Sequence, residues 1–432
     1  MASIEKAVKL AEDGGNSTSS RRSQGSLQCP AVWSSTFRND LANGGNWTEH
    51  DLNKFGIRYS SKKKPEEIFE MIKPYIPSKL RQPSENLWDK KHNDGIPNLA
   101  PHIELLQDGY KLALDFDIDS FELLKLIEIC QDCPRGHACH ETEAFSISQR
   151  IFNQITEAEH VLQRKRTAAV NSLKIAWIPT YERVKIFLKT LKSVLKKAVN
   201  SQINEGTFVD LFQVFARMFL VQFKAVGESR SSKMGRMAVL SINDLRCDYE
   251  DEVFHKPTIV VTVAEVKKTA LRSKKRKKLP KKENDLCDKK QKIEGRGYAG
   301  GATGSDDFGD SPDDISDDGV DFSSRLRGQL GIELLADIEC SCLNEVDNRR
   351  MILGLTVEAT LVRLTCLEMD MDDLKNVQEN LPQENPTRVA TIFYTKAYDM
   401  LKRDERSQLI YIMRHLLFLS NDCDTNLLPT VL

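Results

Sequence analysis

The period of apolar positions changes several times along the chain, and each change marks an element. From Thr258 to Lys268 the run TIVVTVAEVKK is apolar, β-branched and short enough for one buried strand. It ends in a carboxylate, one spacer and an amine. Side chains alternate faces along a strand, so Glu265 and Lys267 fall on one side and Val266 on the other. Upstream, FVDLFQVFARMFLVQFKAV is apolar nearly all round, the mark of a buried helix, and Glu205 stands at its amino end. Between the two lie a loop, GESRSSKMG, and two strand-like stretches, RMAVLSIND and LRCDYEDEV. Downstream come the helical SSRLRGQLGIELLADIECSCL and a strand pair, MILGLTVEATLVRLTCLEM, broken near Glu358 and Ala359. VATIFYTKAYDMLKRD and the apolar-striped helix ERSQLIYIMRHLLFLS complete the series. Helix, three strands, helix, then strands predicts a mixed sheet flanked by helices, a three-layer α/β domain over residues 171–420.

The earlier pattern is helical. Residues 1–50, rich in Ser, Gly and Asn, read as a disordered tail. DLNKFGIRY gives a short amphipathic turn, and Pro65, Glu66 and Glu67 open a helix by the proline-first, acid-early rule. HIELLQDGYKLALDF has helical spacing, Asp119 or Ser120 can cap FELLKLIEIC, and SQRIFNQITEAEHVLQRKR continues the period. Residues 51–170 thus read as a small helical module. SLKIAWIPTYERVKIFLKTLKSVLKKAVN then predicts a helix whose lysines form a solvated face over apolar surface.

Charge changes this picture in one place. The formal net charge of −1 conceals a basic block, LRSKKRKKLPKKENDLCDKKQKIEGRG, followed by the acidic GSDDFGDSPDDISDDGVD. Such composition cannot bury apolar surface, which predicts a disordered insert at 269–322 inside the α/β domain. Lys274, Lys275, Arg276, Lys277, Lys278, Lys281 and Lys282 have the form of a nuclear localisation signal, which implies an import receptor, a nuclear location and capacity for phosphate backbones. Ser305 and Ser311 lie among acids and suit an acid-directed kinase, which phosphopeptide mapping tests. No run has the roughly 18 apolar residues of a membrane span, so no membrane partner is expected.

Ten cysteines are scattered irregularly, as expected for reduced thiols. Cys130, Cys133, His137, Cys139 and His140 crowd into CQDCPRGHACHE. Cys130 and Cys133 form half of a zinc site, with His137 and Cys139 the nearest further ligands. These lie too close together for one Zn²⁺ to be held tetrahedrally by all of them, and the alternative is a helix end with a Pro-Gly turn.

These residues together resemble the PD-(D/E)XK, restriction-endonuclease-like nuclease superfamily, in its eukaryotic effector and mobile-element form. The pattern is an acid on a first helix, an Asp before the motif strand, Glu-x-Lys at that strand's end, and a Gln on the next helix. Here these are Glu205, Asp244, Glu265 with Lys267, and Gln329. Asn243 stands where the family has proline, and Asp248, Asp251 and Glu252 compete with Asp244. The resemblance implies a Mg²⁺ held by Asp244, Glu265 and the Val266 carbonyl, with Lys267 serving the attacking water. It implies an enzyme acting on the phosphodiester bonds of nucleic acid, which the basic run would bring to the nucleus, with DNA expected ahead of RNA. The alternative is the same fold without catalysis, binding nucleic acid or protein. An acid at a helix start, such as Glu205, is also favoured by the helix dipole alone.

Overall fold

In the computed structural model the described residues are 46–76, 110, 113–132, 138–172, 177–225, 230–235, 237–241, 244–250, 257–267, 322–344, 348–379, 383 and 386–420. Thr48 starts the first helix by a reciprocal cap: its hydroxyl accepts from the Asp51 amide, and the Asp51 carboxylate takes the Thr48 amide at 3.0 Å. This helix, α1 (Glu49–Asn53), turns through Gly56, at φ 77°, into β1 (Ile57–Lys62). Pro65, with no amide proton to leave unpaired, opens α2 (Pro65–Ile72). Asp119 accepts from the Glu122 amide at 3.1 Å and begins α3 (Ser120–Asp132), followed by α4 (Ala138–Asn171) and α5 (Ile178–Val199). Asn204 caps α6 (Glu205–Met218), which stops where Leu220 takes a left-handed φ of 67°. Then come β2 (Lys224–Ala225), β3 (Arg230–Met234), β4 (Met237–Ser241), β5 (Leu245–Glu250) and β6 (Pro257–Lys267). The last part comprises α7 (Ser324–Asp337), β7 (Arg349–Glu358), β8 (Leu361–Asp370), α8 (Met371–Glu379), β9 (Ala390–Tyr394), β10 (Tyr398–Asp399) and α9 (Arg403–Ser420).

Eight strands form one mixed sheet in the order β1-β9-β8-β7-β6-β5-β2, with β10 also paired to β8. The β1–β9 and β6–β7 pairs are parallel, and the other neighbours are antiparallel. It follows that β1, β9, β7, β6 and β2 all run one way. Their last residues, among them Lys62, Tyr394, Glu358 and Lys267, mark a single end of the sheet, where β5 begins. In open α/β sheets this carboxyl end is where ligands bind.

Alternation along the strands produces two unlike faces. Cys247, Val261, Leu353, Leu355, Val357, Val362 and Leu364 join Phe187 of α5, Phe208, Phe212 and Phe215 of α6, and Leu409 and Ile412 of α9 in one large apolar core. The opposite face carries α7, whose Leu330 and Leu334 sit over Gly354. Helices thus cover both sides. Buried Arg406 ties α9 to the body by donating to the carbonyls of Met400, Leu114 and Phe116.

The structure differs from the local pattern where the partner is far away in sequence. DLNKFGIRY is not an amphipathic turn: it contains α1 and the edge strand β1, whose pairing with β9 brings this segment into the main sheet. GESRSSKMG is not all loop, because Arg230–Met234 pairs with β4 in a separate two-stranded sheet, so RMAVLSIND does not enter the main one. Residues 46–50, expected in the tail, include fully buried Trp47, and Phe322, expected in the insert, is buried as well. The other residues of the expected tail and insert lie outside the described residues, as does most of HIELLQDGYKLALDF.

Helix α7 approaches α1 so closely that a side chain at Gly328 would meet Thr48 backbone atoms at 2.3 Å. At Gly331 the nearest atom is instead the tip of the Leu52 side chain. Gly328→Ala should therefore cost about 1–3 kcal/mol of overpacking, beyond the helix propensity gained, and more than Gly331→Ala, because backbone cannot rotate aside. Urea midpoints of the two variants check this, and an equal loss would contradict it.

Candidate site at the carboxyl end of the sheet

The backbone register places the sequence-predicted residues. Leu245 pairs with Val263, so Asp244, which immediately precedes β5, lies beside the end of β6. On the other side of β6, Val263 pairs with Leu355 and Glu265 with Thr356, leaving Ala264 as an extra residue. After this bulge the backbone register continues with Glu265 beside Thr356 and Lys267 beside Glu358, and the side chains of residues 263–267 lie outside the described ones. Thr356 in turn pairs with Arg363, which sets Glu265, Thr356 and Arg363 in one row across three strands.

The register also separates the competing acids. Asp248 pairs with Ile259, six residues before Glu265, a distance of about 20 Å along a strand. Its carboxylate faces the Lys224 ammonium at 3.1 Å. Asp248 therefore cannot share an ion with Glu265, and Asp244 is the described acid at the right end. Asp251 and Glu252 lie outside the described residues.

Facing this end is a feature absent from the sequence reading. Along α7, Gln329, Glu333 and Asp337 recur every four residues, a buried polar stripe on one helix side. Gln329 donates to Glu333 at 3.5 Å. Asp337 is fully buried and accepts three hydrogen bonds: from Arg246 Nε and Nη2, each at 2.8 Å, and from the Thr262 hydroxyl at 2.6 Å. One carboxylate thereby joins β5, β6 and α7. Because α7 links parallel β6 and β7, it runs back along them. From the Thr262–Asp337 contact, Glu265 is three residues on, about 10 Å; Glu333 and Gln329 are four and eight residues back along α7, about 6 and 12 Å. The level of Glu265 falls between those of Glu333 and Gln329.

The floor beyond this row is also polar. Arg363, buried on β8, lies 3.9 Å from Glu358, donates to the Thr395 carbonyl at 3.3 Å and stacks 4.5 Å from the Phe322 ring. Phe322 forms an aromatic group with Tyr59 and Tyr394, and the Arg327 guanidinium stands 5.3–5.6 Å from all three rings while pairing with Glu49. Burial first, and then the Glu49 carboxylate, push the Tyr59 phenol well above its ordinary range. In this way Phe322, two residues before α7, is anchored at the same sheet end.

Of the remaining expected residues, Glu205 is exposed at the start of α6, and the preceding turn is fixed to α3 by Ser201, which donates to the Cys130 carbonyl at 2.6 Å. Cys133, His137 and the side chains of Cys139 and His140 lie outside the described residues, as do the run Lys274–Lys282, Ser305 and Ser311. Among the described residues, no group of three or more His, Cys, Asp or Glu side chains could share a metal ion, and no helix is long and apolar enough to cross a membrane. No family model, curated protein or solved structure matches this chain.

Removing one partner of a buried ion pair strands the other, whereas replacing both with apolar groups does not. Asp337→Ala should cost about 3–5 kcal/mol in urea unfolding, and Arg246→Met with Asp337→Leu should cost less than the single change. A double variant at least as unstable as Asp337→Ala would show that the pair is not what holds the three elements together.

Proposed function

We propose that this chain is a Mg²⁺-dependent nuclease-like protein that hydrolyses phosphodiester bonds, with DNA ahead of RNA as substrate. One observation carries the reading: the register that sets Asp244 at the start of β5 beside Glu265 and Lys267 at the end of β6, level with the α7 stripe that begins at Gln329. The succession α6, β2, β5, β6, α7, β7, with neighbouring strands antiparallel, antiparallel and parallel, supports the resemblance to the PD-(D/E)XK core. In that comparison the β3–β4 hairpin is an excursion between the first two strands.

The donor set fits a hard cation, because two carboxylates and a backbone carbonyl offer only oxygen. Asp244, Glu265 and the Val266 carbonyl would hold Mg²⁺, which when bound lowers the pKa of water and offsets charge on phosphate oxygens. Lys267 would orient the attacking water and neutralise charge in the transition state. Gln329, held by Glu333, would fix the position of the water or of the Lys267 amine. Glu205, at the start of α6, is the secondary acid of the proposal. The Lys274–Lys282 run would bring the chain to the nucleus through an import receptor.

The wild-type chain incubated with DNA should cut it with Mg²⁺ and not with EDTA. Asp244→Asn and Lys267→Ala should each lose at least about a hundredfold in rate while binding remains. Wild-type protein that binds DNA and never cuts it under broad metal conditions would leave the fold as a binding module. For localisation, replacing Lys274–Lys278 with alanine in a fluorescent fusion should shift signal from nucleus to cytoplasm; unchanged nuclear signal would remove that role.

A further inference from the structure

The lysines of α5 are not one uniform solvated face. Lys192 pairs with Glu159 at 2.6 Å, and Lys185 lies 3.8 Å from Glu182, a carboxylate it shares with Arg166 at 2.9 Å. Lys189 and Lys197 instead line an open groove of about 410 Å³ between α5 and α6, with Ser193 on α5 and Asp210 and Arg217 on α6. Neither of these lysines nor Arg217 forms an ion pair with a described residue. Three cations against one carboxylate leave a net of two positive charges in this groove. The larger groove near the start of α2, about 830 Å³, is different, because its four lysines face four carboxylates.

We propose that the α5–α6 groove binds the phosphate backbone of a single-stranded nucleic acid. Lys189 and Lys197 are eight residues apart, about 12 Å along the helix axis, too far to grip one phosphate. Successive phosphates of one strand are about 6–7 Å apart, wider than the roughly 3.4 Å rise along a duplex axis, so this interval spans about three phosphates. Arg217 adds a planar fork suited to phosphate oxygens, and the Ser193 hydroxyl adds a neutral donor. Ile186, 54% exposed, provides an apolar rim against which a base or sugar can rest. Asp210 subtracts one charge, which favours contact with several phosphates over capture of a single anion. A groove of about 410 Å³ between two helices offers room for the backbone of one strand, and a duplex of the same sequence serves as the competitor in the test below. The binding needs neither metal nor hydrolysis and stands apart from the nuclease reading.

The test is fluorescence anisotropy of a short labelled single-stranded deoxyoligonucleotide in EDTA. It uses the full chain with the basic residues of 274–282 changed to glutamine, so that they do not mask the groove. Lys189→Gln, Lys197→Gln and Arg217→Gln combined should weaken binding at least tenfold and reduce the slope of log affinity against log salt by about two. Lys185→Gln with Lys192→Gln, the paired lysines, should change either value little. All three residues are solvent-accessible, so equal urea midpoints should accompany the loss. Three results would overturn the proposal: no binding by the parent chain, equal losses in the groove and control variants, or displacement of the strand by an equal concentration of inorganic phosphate or of the duplex competitor. Binding is read in EDTA, where Mg²⁺-dependent cleavage does not run, so failure of the cleavage reading leaves this one standing, and the reverse.

Discussion

The interaction on which the rest of the structure depends is the buried Asp337 carboxylate. It gathers Arg246 of β5 and Thr262 of β6 onto α7 with three hydrogen bonds of 2.6–2.8 Å. Desolvating such a charge is costly, and an apolar triad of equal shape would serve stability about as well. What the charged arrangement supplies is register. A strand that slips by one residue reverses every side chain, and Arg246 or Thr262 would then face the apolar core formed by Leu245, Cys247 and Val261. The fork geometry of Arg246 tolerates no such displacement.

Once β5, β6 and α7 are fixed, the candidate site follows from backbone geometry. The antiparallel β5–β6 pair returns Asp244 to the end of β6, and the bulge at Ala264 sets Glu265 and Lys267 in backbone register with Thr356 and Glu358. The close approach of Gly328 to Thr48 and the Phe322–Arg327–Tyr59 contacts then hold the amino end of α7 at the same place. Both ends of the segment between β6 and α7 consequently meet the carboxyl end of the sheet.

The two lysine-bearing surfaces show how structure redistributes charge. On α5, identical residue types at adjacent helical positions divide into those tied to Glu159 and Glu182 and those facing the α6 groove. An ammonium beside a carboxylate offers little to a phosphate, whereas one facing an open groove retains its attraction.

The sequence by itself determined the elements whose periodicity is strong and local. The apolar β-branched run became β6, the break at Glu358 and Ala359 became the β7–β8 turn with Ala359 at φ 57°, and the stretch apolar nearly all round became the buried helix α6. It also determined the acid, amine and amide types available near the strand end. Only the tertiary structure decided which of them meet, because register and helix level depend on partners scores of residues away. It set Asp248 about 20 Å from Glu265, paired β1 with β9 and exposed the stripe Gln329, Glu333 and Asp337 as the helix side that faces the sheet. That stripe was legible as a four-residue spacing in RGQLGIELLAD, yet its meaning was not, since a polar residue on a helix is ordinarily a sign of solvent. Burial alone reverses that sign, and burial is a property of the packed whole.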